Sequence, residues 1–113
     1  MFEQGEIIIV PIPFTDLLSN KKRPALVISS NKYNNRTNDI IVMAITSNIT
    51  VKEFSVNINN GELELGVLAS ESQIRVDKIY TISQSIVIKS IAKIRASLLG
   101  DIINTFNKII QKK

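Results

Sequence analysis

Two spacings of apolar residues divide this chain unevenly. Over most of its length the apolar positions form short runs or strict alternations, the habit of strands; only near the C-terminus do they recur every three or four residues, the habit of a helix. Residues 6–10 (EIIIV) hardly alternate and are almost all β-branched, which predicts a strand buried on both faces, with Gly5 as its start signal. Pro11 and Pro13 end regular pairing there, because proline has no backbone donor for the ladder. Residues 16–23 (DLLSNKKR) read as a polar loop and residues 24–29 (PALVIS) as the second strand. Residues 31–39 form a second loop dense in asparagine, and residues 40–46 (IIVMAIT) the third strand. Residues 52–58 alternate cleanly, with Phe54, Val56 and Ile58 on one face, and Asn59, Asn60 and Gly61 spell a hairpin turn.

Beyond that turn come Leu63, Leu65, Val67 and Leu68, then residues 73–75 and a further apolar stretch at 78–82. Residues 86–94 (IVIKSIAKI) fit strand or helix on periodicity alone and are read as strand. From Leu98 onward, Leu99, Ile102, Ile103, Phe106, Ile109 and Ile110 predict an amphipathic helix of about four turns. Ser97 stands where an N-cap belongs, Asp101 in the early turns, and Lys112 and Lys113 at the basic end. Its stripe of Leu99, Ile103, Phe106 and Ile110 suits core or dimer packing. The whole reads as mainly β with a C-terminal α-helix: five to seven short antiparallel strands in a strongly bent sheet or partly open barrel. At 113 residues this is one unit, residues 1–113.

Composition narrows the chemistry. There is no cysteine and no histidine, which removes disulfides, the usual transition-metal ligands, and the Ser-His-Asp and Cys-His nucleophile systems. No dense carboxylate cluster suggests a magnesium site, so no metal and no cofactor is expected. Catalysis would have to run on Arg, Lys, carboxylates and hydroxyls. The N-terminus, with acidic residues before a short apolar run broken by two prolines, fits neither a signal peptide nor a membrane span, and a cytoplasmic protein is expected. A net charge of +4 and a pI near 9.5 permit binding to nucleic acid or to an acidic protein without demanding either.

Four blocks in order carry a resemblance. The run from Gly5 through Asp16 (GEIIIVPIPFTD), followed by Lys22-Arg23-Pro24-Ala25-Leu26-Val27-Ile28-Ser29, resembles the N-terminal motif of the MazF/PemK/Kid toxins. Ala44-Ile45-Thr46-Ser47 is similar to the family's hydroxyl-bearing strand end, Gln73-Ile74-Arg75-Val76-Asp77-Lys78 to its later block, and the helix comes last. The resemblance implies a small SH3-like barrel of the kind MazF, PemK and CcdB share, and a cytoplasmic homodimer that is the toxin of a type II toxin-antitoxin system, restrained by a cognate antitoxin protein. It also implies metal-independent, sequence-selective cleavage of single-stranded RNA to 2′,3′-cyclic phosphate and 5′-hydroxyl ends, with Arg23 and Thr46 as the catalytic pair and Ser47 beside them. Where many members have a glycine-rich loop before the arginine, this chain has Ser19-Asn20-Lys21-Lys22.

The residues suit that chemistry unequally. Arginine's planar fork of donors fits phosphate oxygens bidentately, so Arg23 suits stabilising a phosphorane and protonating the departing 5′-oxygen. It does not suit taking the 2′-OH proton, since a guanidinium stays charged, and no residue is assigned as base. Without the family motif, Arg23 reads first as an exposed arginine opening a strand, and Thr46 as a strand residue whose hydroxyl meets backbone. Gln73, Arg75 and Lys78 are candidates for phosphate or base contacts, with Asp77 holding Arg75. Lys21, Lys22, Lys32 and Arg36 lie in two loops that would flank one groove. Aromatic residues make up only 5%, leaving Tyr33 and Phe14 as loop candidates for base stacking or plain packing. Two other readings stand beside this one: a non-cleaving CcdB-like toxin acting on a protein target such as a gyrase, and a plain SH3-like RNA-binding module.

Overall fold

Glycine opens the first strand because the chain must enter it through a left-handed turn. Gly5 has φ +94°, its N–H donates to Val27 O at 2.8 Å, and its own carbonyl accepts from Ile94 N at 2.9 Å, so one residue joins three strands. The computed structural model describes residues 1–11, 22–50 and 53–112. Within them run β1 (Glu6–Val10), β2 (Arg23–Val27), α1 (Asn31–Arg36), β3 (Asp39–Thr46), β4 (Ser55–Ile58), β5 (Leu63–Gly66), β6 (Ser72–Ser83), β7 (Lys89–Ile94) and α2 (Ala96–Ile110). The strands make a seven-stranded sheet in the order β4-β6-β3-β2-β1-β7-β5, antiparallel at every pairing.

The sheet is curled into half a barrel, and both faces are buried over much of its length. On the inner face Ile7, Leu26, Met43, Ile45, Ile74 and Val76 gather with Ile58, Leu63 and Ile94 beneath α2. On the outer face Ile8, Val10, Ala25, Val27, Ile40, Val42 and Ile82 form a second core, flanked by Phe2, Tyr80 and Val87. This explains why β1 does not alternate: Ile7 serves one core, Ile8 and Val10 the other, and all three are fully buried. At about 25 cal/mol per Å² of apolar surface removed from water, these two layers are the main stabilising term.

Several elements differ from their sequence reading, each for a local reason. Asn59, Asn60 and Gly61 do not close a hairpin: β4 and β5 lie at opposite edges of the sheet, and Gly61 is not among the positive-φ glycines. The Asn59 side chain instead accepts from Gly61 N at 2.9 Å and Glu62 Oε1 from Asn59 N at 3.2 Å, a capping box on a 3₁₀ turn, Asn60–Glu62. Asn60 then clamps Leu68 through both its amide atoms. The stretch read as an asparagine-rich loop contains α1, because Ser30 Oγ caps Tyr33 N at 3.1 Å and Asn34 is fully buried. Asn34 accepts from Ser29 Oγ and donates to Phe2 O at 3.1 Å and Ser29 O at 3.2 Å, so tertiary bonds override asparagine's low helix propensity.

The two stretches at 73–75 and 78–82 are one twelve-residue strand, bulged where its register against Met43 and Ala44 shifts. Residues 86–94 begin with the end of a 3₁₀ turn, Gln84–Ile86, and become strand only at Lys89. The helix begins earlier than Ser97 allows: Arg95 is its N-cap, with its carbonyl accepting from Leu98 N and Leu99 N, because buried Ile94 brings β7 directly to the corner. Its buried stripe is Leu98 and Ile102, flanked by Leu99 and Phe106, so Ile103 and Ile110 of the expected stripe are exposed. Pro13 and the loop at 16–21 fall outside the described residues.

Glycine has opposite meanings at two positions. A Cβ on Gly66 (φ +81°) would meet Ile91 O at 2.1 Å, whereas one on helical Gly100 would meet nothing within 4 Å. Gly66→Ala should therefore lower stability by roughly 3 kcal/mol or more, and Gly100→Ala should raise it by about 0.5–1 kcal/mol. Urea unfolding of both variants checks this; equal effects would contradict the packing described.

Candidate active site

The antiparallel registers bring the polar candidates into two rows on the outer face. Ala25 pairs with Ala44 and Val27 with Val42; continued two residues further, the same register sets Arg23 across from Thr46. Thr46 pairs with Gln73 on β6, and Gln73 with Asn57 on β4. One row across four strands therefore reads Arg23, Thr46, Gln73, Asn57. Because side chains alternate, the neighbouring row on the same face is Ala25, Ala44, Arg75, Ser55. Adjacent strands are about 4.8 Å apart, so Arg23 and Thr46 lie side by side, and Asn57 about 14 Å from Arg23. The outer face is thus apolar toward the start of β3 and polar toward its end.

At that end the chain also forms a cleft of about 390 Å³, where β2 begins and β3 ends. Lys22, Arg23, Thr46 and Ser47 line it together with Ser70, Ser72 and the inner-core residues Ile45 and Leu68, so it reaches the inner side of the sheet, and Gln73, Arg75, Ser55 and Asn57 of the two rows lie outside its lining. Lys22 and Ser47 are exposed, while Arg23 and Thr46 are half-buried. The Thr46 hydroxyl accepts from Asn48 N at 3.1 Å, which fixes its position and leaves its proton free to be donated. Among the described residues, the buried side-chain polar atoms without a partner are Arg23 Nε, Ser55 Oγ, Gln73 Oε1 and Arg75 Nε. All belong to the two rows. Each unsatisfied group costs about 1–3 kcal/mol, so their concentration marks a patch not optimised for stability.

The remaining candidates divide. Arg75, half-buried, leans on Asp77 through one guanidinium nitrogen at 3.4 Å, a loose pair that leaves its other donors available. Gln73 is only 3% exposed, and its amide is committed: Nε2 donates to Thr50 O at 2.6 Å and to Asn57 Oδ1 at 3.1 Å. Lys78 lies in the bulged part of β6, outside the cleft lining. Lys32, Tyr33 and Arg36 are on α1, which packs at the opposite end of β3 from Thr46. Seven residues of strand separate the ends by about 23 Å, so these groups do not flank the cleft as their loop reading required. Lys21 and Phe14 lie outside the described residues. Ser55 and Asn57 are not among the residues the sequence motifs single out; Val56 and Ile58 of β4 pack on the inner face, which puts both on the outer one.

A curled antiparallel half-barrel with a terminal helix and a cationic, hydroxyl-lined cleft defines the class, and comparison with known proteins defines the family. The family model described as PemK-like, MazF-like toxin of type II toxin-antitoxin system matches residues 3–110, and the chain belongs to that family. Similar solved structures include Mycobacterium tuberculosis toxin MazF-mt6, with TM-score 0.77, 17% identity, and 96% of this chain and 98% of that one covered. An endoribonuclease in complex with its cognate antitoxin, from a mycobacterial species, gives TM-score 0.78 at 15% identity over 100% and 98% of the two chains. A MazE-MazF crystal structure from Deinococcus radiodurans gives 0.74 at 18% identity over 99% and 97%. No curated protein sequence matches significantly. No helix among the described residues is long and apolar enough to cross a membrane.

If the unpaired Arg23 donor belongs to function rather than to the fold, removing it is harmless to stability. Arg23→Met, which keeps the alkyl stem, should leave the unfolding free energy unchanged or raised by up to about 1 kcal/mol. A loss above about 1 kcal/mol in chemical denaturation would assign the guanidinium to the fold.

Proposed function

We propose that the protein is the endoribonuclease toxin of a type II toxin-antitoxin pair, cutting single-stranded RNA at selected sequences without a metal ion. The observation that carries this reading is the alignment of Arg23 with Thr46 across β2 and β3, at the mouth of the cleft and beside the unpaired donors of Arg75 and Ser55. A guanidinium and a hydroxyl side by side are complementary to the non-bridging oxygens of one phosphate.

In the reaction, the 2′-oxygen attacks the adjacent phosphorus as its proton passes to solvent, the P–O5′ bond breaks, and O5′ takes a proton from Arg23, which solvent then reprotonates, leaving a cyclic 2′,3′-phosphate and a 5′-hydroxyl. The nucleophile is already held beside phosphorus by the ribose, so little entropy is lost in bringing it there. Arg23 donates to the phosphorane oxygens and to the departing O5′, and Thr46 to a second non-bridging oxygen. Lys22 and Arg75 supply charge along the RNA backbone, and Ser47 a further hydroxyl. A chain with no histidine and no cysteine lacks the side chains that most often hold a catalytic metal, which favours the internal nucleophile over activated water.

The same reading takes residues 1–113 as one domain that acts as a homodimer in the cytoplasm, where its RNA is, and is neutralised by a cognate antitoxin. Support for the partner comes from the structural neighbour that is in complex with its cognate antitoxin and from the MazE-MazF structure. A basic cleft that attracts phosphates attracts carboxylates for the same reason, so an acidic antitoxin segment suits it. Light scattering should give twice the 12.6 kDa chain mass at micromolar concentration; a monomer would contradict the dimer.

Purified protein incubated with a defined RNA in EDTA should cleave it, and mass spectrometry should find cyclic phosphate and 5′-hydroxyl ends. Arg23→Ala should lower the rate by at least about a hundredfold with an unchanged circular dichroism spectrum. A 5′-phosphate product, or dependence on added magnesium, would contradict the mechanism.

A further inference from the structure

One polar group on the outer face is oriented with more care than the reaction above requires. Gln73 Nε2 donates to Thr50 O at 2.6 Å and to Asn57 Oδ1 at 3.1 Å. A main-chain carbonyl can only accept, so the Thr50 contact fixes which way round the Gln73 amide sits. Gln73 therefore presents a donor to Asn57, and Asn57 must turn its oxygen inward. The Nδ2 group of Asn57, with two donors, is left facing outward from an exposed residue on the edge strand β4. The arrangement uses both Gln73 donors and leaves Gln73 Oε1 buried without a partner. A surface asparagine free to rotate presents either a donor or an acceptor and so discriminates nothing; a locked one presents a donor only.

We propose that Asn57 is a specificity-determining residue, its outward amide donating to an acceptor on the edge of an unpaired base next to the cleaved phosphate. The proposal rests on the reading of this face as an RNA site. Asn57 shares the row of Arg23 and Thr46 and lies about 10 Å, two strand spacings, beyond Thr46. That is too far for the phosphate those two residues would hold, and within reach of a neighbouring nucleotide. The group is neutral and fixed in direction, whereas the charges suited to phosphate sit on Arg23, Arg75 and Lys22. Unpaired bases expose hydrogen-bonding edges that such an amide reads, as asparagine does elsewhere in nucleic-acid recognition.

The test is cleavage of a randomised RNA pool followed by sequencing of the ends, for wild type, Asn57→Ala and Asn57→Asp. Asp keeps an oxygen toward Gln73 while replacing the outward donor with an acceptor. Base preference at one position near the cut should flatten by about tenfold in N57A and shift to a different base in N57D. An unchanged preference at every position in both variants, whatever their overall rates, would overturn the proposal. If wild type cuts no RNA, the endoribonuclease reading fails separately, and binding enrichment from the same pool decides this one. A base preference lost in N57A then supports Asn57; identical enrichment, or none in wild type, overturns it.

Discussion

The register between β2 and β3 is the constraint on which the rest depends. Because side chains alternate along a strand, that single alignment sends Leu26 and Met43 to the inner core, Ala25, Val27 and Val42 to the outer face, and sets Arg23 across from Thr46. A slip of one residue would turn the arginine toward the inner face and force Leu26 into the outer core, where Ala25 and Val27 pack. Burial on both faces resists such a slip, since either core loses its contacts at once. The chemistry of the cleft is thus positioned by apolar packing some residues away, not by bonds the polar groups make among themselves.

The two ends of the outer face treat hydrogen bonding in opposite ways. Near α1 the amides of Asn34 and Gln84 are satisfied: Asn34 bonds Ser29 and Phe2, and Gln84 donates to the carbonyls of Asn34, Thr37 and Asp39 while accepting from Phe2 N. That network ties the N-terminus, α1 and the ends of β3 and β6 into one corner. At the other end, Arg23, Ser55, Gln73 and Arg75 each keep a buried polar atom unpaired. In a domain whose net stability is typically 5–15 kcal/mol, several such groups are a large concession. The concession is compatible with a surface whose hydrogen-bond partners arrive with a ligand.

Much of this was legible in the sequence. The β-branched run at 6–10 predicted a strand buried on both sides, the three- and four-residue spacing from Leu98 a terminal helix, and the Arg23-Pro24 and Thr46-Ser47 blocks the two residues that the register aligns. What misled was local chemistry with more than one use. Asn59-Asn60-Gly61 suits a hairpin turn, but the same side chains form a capping box when the flanking strands belong to opposite edges. Ser30 and Asn34 looked like loop residues because the bonds that make them helical come from Phe2 and Ser29. Lys32 and Arg36 resembled Lys22 in the sequence and differ only in the end of β3 they occupy. Ser55 and Asn57 carried a usable signal, the apolar alternation of β4, whose polar complement marks the face they share with Arg75 and Gln73.

On the function proposed above, RNA lies along the Arg23–Thr46 row. An RNA carrying a 2′-methoxy group just 5′ of the cut binds but has no nucleophile, so its complex persists for observation. Titrating it into isotopically labelled protein and following side-chain and amide resonances tests the claim directly. Shifts should concentrate at Arg23, Thr46, Arg75 and Asn57 and leave Ile103 and Ile110 on α2 unmoved. Shifts centred on α2, with the row unperturbed, would contradict it.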